Sequence, residues 1–321
     1  MAPRSFVPAL GTSLSRTRSW IWLVILSLAG CSGPDPVGPL RQAVGSKSSA
    51  AEANGFGSGS FYPLAIGNAW SYLGVGSIRY ITNGTPGDPL EVYAFTETRR
   101  LIGYTRHDET TYVIEEQIHH EVPEGHYGPS TFWSRMRQNA AGLFFLDTLL
   151  TSPPGVENGN AELAPGPSVS VDLASVPSGV RTNPALVRLA HRLELMRKAV
   201  RVPGRMDANN PTGVELTELL YPLKVGQNWS IRPDIPWPAR VAGVEVLDTP
   251  AGRITSYRID LDPFGTTIHE GEWVREWWSR RGWLGYSLHF LEEETDTDGQ
   301  PTGRIFTADE SMIVESLNIS R

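Results

Sequence analysis

One pattern of eleven residues occurs twice in this chain. Phe61-Tyr62-Pro63-Leu64-Ala65-Ile66-Gly67-Asn68-Ala69-Trp70-Ser71 returns as Leu220-Tyr221-Pro222-Leu223-Lys224-Val225-Gly226-Gln227-Asn228-Trp229-Ser230, offset by 159 residues without a gap. Proline holds the preceding tyrosine extended, glycine permits a tight turn, and the tryptophan that follows can cover the start of a strand. Two copies are too few for a solenoid. They imply two related subdomains, or one sheet system whose beginning is duplicated. The paired aromatics admit two readings: a ligand groove lined by Trp70 and Trp229, or a corner repeated for structural reasons, whose tryptophan fills the core.

Composition points to β structure. The chain has 32 glycines and 25 prolines in 321 residues, well above their usual combined ~12%. Alternation marks several strands. Tyr257, Ile259 and Leu261 alternate with Arg258, Asp260 and Asp262, and Tyr286, Leu288 and Phe290 alternate with Ser287 and His289. Tyr112, Ile114, Ile118 and Val122 share a face that Glu116 interrupts. Thr249-Pro250-Ala251-Gly252 reads as a hairpin turn between 244–248 and 253–262, and Asp298-Gly299 as another between 286–294 and 304–307. One segment reads as a helix: Asn183 as its cap, Pro184 at its first position, then 185–200 with Leu186, Leu189, Ala190, Leu193, Met196 and Val200 in one stripe. From Arg181 to Arg205 seven basic residues stand against one glutamate, a net of +6. Such a helix either meets anionic headgroups or an acidic partner, or covers an open end of the sheet with its basic face in water or paired to the protein's own acids. The expected fold is mainly β, an antiparallel sandwich or partly open barrel with an internal repeat and one amphipathic helix.

Residues 1–30 follow the plan of a secretory signal. Arg4, Arg16 and Arg18 are its only charges, and the apolar run from Trp20 to Leu28 ends at Ala29-Gly30-Cys31. Nine helical residues reach about 14 Å, far short of the ~30 Å hydrocarbon core. Leu28-Ala29-Gly30-Cys31 resembles the lipobox of bacterial lipoproteins. That resemblance implies a diacylglycerol on the sulfur of Cys31, removal of the leader, and acylation (palmitate, for example) of the new amino terminus. Two or three chains anchor stably where one does not. Cys31 is the only cysteine in the chain, so no intramolecular disulfide can form. Residues 32–60 have the Ser, Gly, Pro and Ala composition of a tether; 29 residues of that kind reach about 30 Å root-mean-square. The organisation expected is 1–30 as signal peptide, 31–60 as lipidated amino terminus and tether, and 61–321 as the β-rich extracytoplasmic domain, with related halves at about 61–150 and 220–321. The Pro/Gly/Asn-rich stretch 151–183 is either a long loop or the junction between them.

The pattern Tyr-Pro-Leu-x-x-Gly-x-x-Trp is similar to one in uncharacterised bacterial lipoproteins and secreted proteins, as are the segments from Trp133 to Leu146 and from Glu276 to Tyr286. The resemblance implies a strand-rich domain and an envelope location, periplasmic or on the outer membrane. It brings no catalytic or binding set with it.

Chemistry is sparsely marked. His119-His120-Glu121-Val122-Pro123-Glu124-Gly125-His126 is the densest group of possible metal ligands. Neighbours on a strand point to opposite faces, so His119 and His120 do not share an ion. His120 and His126 converge only if the chain turns at 123–125, and zinc then needs further ligands such as His107 or nearby acids. Glu294-Thr295-Asp296-Thr297-Asp298-Gly299 is similar to a calcium loop but has Ile305 where the closing glutamate belongs. Trp273, Trp277, Trp278 and Trp283 cluster. On a strand Trp273 and Trp277 share one face and Trp278 takes the other, which suits a strand covered on both sides; Trp277 otherwise joins Trp70 and Trp229 as a candidate binding aromatic. There is no Gly-x-Ser-x-Gly and no phosphate-cradling glycine loop, no catalytic residue is nominated, and no cofactor is implied. The formal charge is −7. Loss of the three leader arginines makes it −10, which opposes nucleic-acid binding. The function expected is non-catalytic binding or structural work on the envelope, with an envelope protein or apolar ligand as partner. The alternatives are a carrier holding an apolar ligand in a curved sheet, and a metal-assisted envelope hydrolase.

Overall fold

The computed structural model describes residues 61–122, 130–150, 182–201, 215–232, 237–262 and 271–320. The leader, Cys31, the tether, His126 and most of 151–183 lie outside the described residues.

Twelve strands form a single antiparallel sheet: β1 (Ala69–Thr82), β2 (Thr85–His107), β3 (Thr110–Val122), β4 (Ser130–Gln138), β5 (Gly142–Leu150), β6 (Glu215–Leu220), β7 (Asn228–Ser230), β8 (Pro238–Thr249), β9 (Gly252–Leu261), β10 (Trp273–Ser279), β11 (Gly282–Thr295) and β12 (Pro301–Asn318). The spatial order is β6-β5-β4-β3-β2-β1-β12-β11-β10-β9-β8-β7. Each strand except β7 therefore neighbours its predecessor, and β12 returns to pair with β1. The two free edges meet across β6 and β7: the Thr217 amide donates to the Ile231 carbonyl at 2.9 Å, and Trp229 Nε1 donates to the Thr217 carbonyl at 3.0 Å. The result is a nearly closed barrel, which decides between the two β architectures that the strand pattern allowed. Near-closure covers edges that would otherwise template aggregation.

Alternation places the core inside. On β1, Trp70, Tyr72 and Ile78 are buried, and Gly74 and Gly76 between them lie under the rings of Phe95 and Tyr93 on β2. A Cβ at either glycine would sit 2.1 Å from the ring, so the aromatics supply the packing the glycines omit. The turns at Thr249–Gly252 and between β11 and β12 fall where the sequence places them. Asn83-Gly84 closes β1 and β2 with φ of 49° and 76°, the left-handed pair that a tight hairpin requires.

The repeat is a structural corner. Each copy opens a run of six strands, β1–β6 and β7–β12. In the first, the Gly67 amide donates to the Leu101 carbonyl (2.9 Å) and the Leu101 amide to the Asn68 carbonyl (2.9 Å). In the second, Gly226 donates to Val241 (2.8 Å) and Val241 to Gln227 (3.0 Å). Leu101 and Val241 each lie on the second strand of their run. Both glycines are left-handed, at φ 91° and 85°. The copies also meet. Gln138 Oε1 accepts from the Tyr62 amide (3.2 Å) and from the Tyr221 hydroxyl (2.6 Å), while the Phe61 ring lies 5.6 Å from Tyr221 and 5.4 Å from Tyr257.

The helix α1 (Pro184–Arg201) packs on β11 and β12 at the other end. Asn183 Oδ1 accepts from the Ala185 amide at 2.9 Å, the expected cap. Leu186, Leu189, Leu193 and Met196 join the core. Arg192 clasps Glu272 through both terminal nitrogens (2.9 and 2.7 Å) and lies over Phe290, and Arg188 meets Glu292 at 2.5 Å. These two basic residues are paired to the protein's own acids.

Candidate functional site

The densest chemistry among the described residues lies inside the barrel. Strand alternation turns Glu97 and Arg99 of β2, Glu115, Gln117 and His119 of β3, Glu218 of β6 and Glu276 of β10 inward, and all are buried. Arg99 Nε donates to Glu97 Oε1 at 2.6 Å, and its Nη1 lies 3.9 Å from Glu115 Oε2. The Arg99 guanidinium lies over the Trp283 ring, 3.9 Å from its centroid, a cation–π contact strengthened by burial. Glu115 also accepts from Gln117 Nε2 (2.6 Å) and, through its other oxygen, from the Tyr62 hydroxyl. Trp278 Nε1 donates to Glu276 Oε2 at 2.9 Å. Tyr62 stacks on Trp70 at 4.8 Å, and Trp70 Nε1 donates to the Arg281 carbonyl at 2.7 Å. A fifth inward acid, Glu310, accepts from the hydroxyls of Tyr93 (2.6 Å) and Tyr286.

Electrostatics follow from burial. Desolvation raises the Glu276 carboxyl to about 7, with the Trp278 hydrogen bond and Arg99 opposing. Glu218 is pushed well above the carboxylate range by burial first and by Glu276 second, with Arg99 opposing. Burial also drives the Tyr62 and Tyr72 hydroxyls well up, so they act as donors. For Arg99, burial works against the charge, but Glu97 and Glu115 outweigh it and the guanidinium stays charged. A raised acid pair is the pattern of a general acid. Here both acids of the pair are buried, and Glu276 already accepts from Trp278, as Glu97 does from Arg99 and Glu115 from Tyr62 and Gln117.

The candidates named from sequence are scattered. Trp70 is sealed in the core beside Tyr62. Trp229 is half-buried at the β6–β7 closure. Trp277 is buried on the outer face of β10, where its Nε1 donates to Glu245 Oε2 at 3.0 Å. Trp278 faces inward, so β10 is covered on both sides as its spacing predicts. The three tryptophans do not share a wall. His119 is buried with its ring 5.2 Å from Phe95, His120 faces out and is exposed, and His107 lies 3.9 Å from Asp108. Among the described residues, no group of three or more His, Cys, Asp or Glu is arranged to hold a metal ion. The interior cluster escaped the sequence reading, although a signal was there. Glu97-x-Arg99 and Glu115-x-Gln117-x-His119 repeat with the two-residue period of a strand face. On β3 the apolar face of Tyr112 and Ile114 is the outer one, where Tyr112 donates to Glu215 (2.7 Å) and Glu116 meets Arg100.

No known protein family and no curated protein matches the chain significantly. Two solved structures are distantly similar. One is a candidate lipoprotein from Parabacteroides distasonis, with a TM-score of 0.32 and 9% identity, covering 80% of this chain and 98% of that one. The other is a candidate exported protein with a YmcC-like fold from Bacteroides fragilis, with a TM-score of 0.28 and 8% identity, at the same coverages.

Proposed function

We propose that this chain is a bacterial envelope lipoprotein, anchored through Cys31 on the extracytoplasmic side, whose barrel does non-catalytic binding or structural work. The observation that supports the non-catalytic part is how the interior acids are used. Glu97 is engaged by Arg99, Glu115 by Tyr62 and Gln117, and Glu276 by Trp278, all beneath packed aromatic rings. Groups so engaged define a unique core; a catalytic acid needs a face open to substrate and water. The support for anchoring is the sequence Leu28-Ala29-Gly30-Cys31 and the absence of any second cysteine.

Mass spectrometry of the mature amino terminus extracted from membranes tests the anchor. The expected species begins at Cys31 and carries diacylglycerol; an unacylated chain in the soluble fraction overturns it. Crosslinking in intact envelopes followed by purification tests the binding role, with a reproducible stoichiometric envelope partner as the expected result. Turnover of an envelope polymer by the purified protein, abolished by Glu276→Gln, would overturn the non-catalytic reading.

A further inference from the structure

Three of the five large apolar side chains exposed among the described residues lie at one end of the barrel. Ile66 (39% exposed) and Val225 (58%) occupy equivalent positions in the two corners. Tyr104 (63% exposed) rides on the β2–β3 hairpin, which continues beyond the pairing of Ala69 with Arg100 at the start of β1. The tip of each corner thus turns a β-branched apolar residue to solvent, and it does so in both copies. Exposed basic residues share this end: Lys224 beside Val225, and Arg280 and Arg281 on the β10–β11 turn. The bond from Trp70 to the Arg281 carbonyl ties that turn to the start of β1. Phe61, the first described residue, is here as well, against Tyr221 of the second corner. Only 29 residues separate it from Cys31.

We infer that this end is a membrane-docking face: Ile66, Val225 and Tyr104 enter the headgroup region of an anionic bilayer, with Lys224, Arg280 and Arg281 over the phosphates. The inference rests on the anchoring through Cys31 proposed above. Apolar tips, a tyrosine and basic side chains together suit the interfacial zone, where amphipathic rings settle and basic residues are attracted to anionic lipid. So few groups hold a domain weakly on their own. An anchor within reach supplies the effective concentration that makes weak contacts count.

The single cysteine makes the test clean, because Cys31 is blocked once acylated. Full-length protein carrying Val225→Cys, or Asp298→Cys on the β11–β12 turn at the opposite end, is purified from membranes and labelled with an environment-sensitive fluorophore. It is then reconstituted into vesicles of phosphatidylethanolamine with phosphatidylglycerol, or of phosphatidylcholine alone. The expected result is a blue shift and quenching by spin-labelled lipid at position 225 and not at 298, weakened in phosphatidylcholine and by salt, and lost with Ile66→Ser plus Tyr104→Ser. A water-like signal at 225 from acylated, vesicle-bound protein overturns the docking face and leaves the anchor standing. An unacylated chain found free of membranes overturns the anchor, and with it the docking that depends on it.

Discussion

Replacing Glu276 by Gln isolates the cost of the buried acids. Burial holds this carboxyl at about 7 against an ordinary 4.5, with Glu218, Glu115 and Arg99 facing the same interior. Between those two values the folded chain keeps a proton that the unfolded chain has released. Stability therefore falls with rising pH across that window: the contribution is whole below 4.5 and gone once pH has passed 7. The full loss is about 3 kcal/mol, at about 1.4 kcal/mol per pH unit. Glutamine cannot ionise, and its amide oxygen can still accept from Trp278 Nε1. The variant should match the wild type at the acid limit and exceed it by up to about 3 kcal/mol near pH 8. It also removes the nearby acid that helps raise Glu218. Urea unfolding of both proteins across this range reads the difference from midpoint and slope. A difference that does not change with pH would refute the assignment of a raised acid to Glu276.

Arg99→Met leaves Glu97 and Glu115 without the guanidinium between them and should cost about 3–5 kcal/mol in urea unfolding; an unchanged midpoint would show the pairing to be dispensable. Gly285→Ala puts a Cβ 1.9 Å from the Met312 carbonyl oxygen at a φ of 137°, and should cost about 3 kcal/mol or more, whereas Gly243→Ala, with open space around it, should stay within about 1 kcal/mol of wild type. Gly67→Ala and Gly226→Ala strain equivalent left-handed turns with no atom in the way, so thermal unfolding should report equal losses of about 1–2 kcal/mol; unequal losses would undo the equivalence of the corners. Trp70→Ala should cost about 3–5 kcal/mol and half-buried Trp229→Ala clearly less, as measured by the same unfolding midpoints.

Much of the fold was legible because it is local. The Asn183-Pro184 cap, the stripe from Leu186 to Met196, the turn at Thr249–Gly252 and the alternation of β9 and β11 each depend on neighbours a few residues away. The repeat announced itself as a corner through the demands of Gly67 and Gly226, and the bonds to Leu101 and Val241 meet those demands. The interior cluster was less legible. Glu97, Glu115, Glu218 and Glu276 come from four strands as far apart as 179 residues in sequence, and nothing local distinguishes them from the many surface acids. On β3 the face shared by Tyr112 and Ile114 is the outer one, because the barrel interior there accommodates Glu115 and Gln117 around Arg99.

Periodicity and turn chemistry, which act over a handful of bonds, were enough to establish a β protein with a duplicated corner and one capped helix. Closure of the sheet into a barrel, the choice of which strand face turns inward, and the gathering of acids around one guanidinium are decided at long range. Desolvation and pairing energies exist only once distant strands have met, and no single stretch of chain contains them.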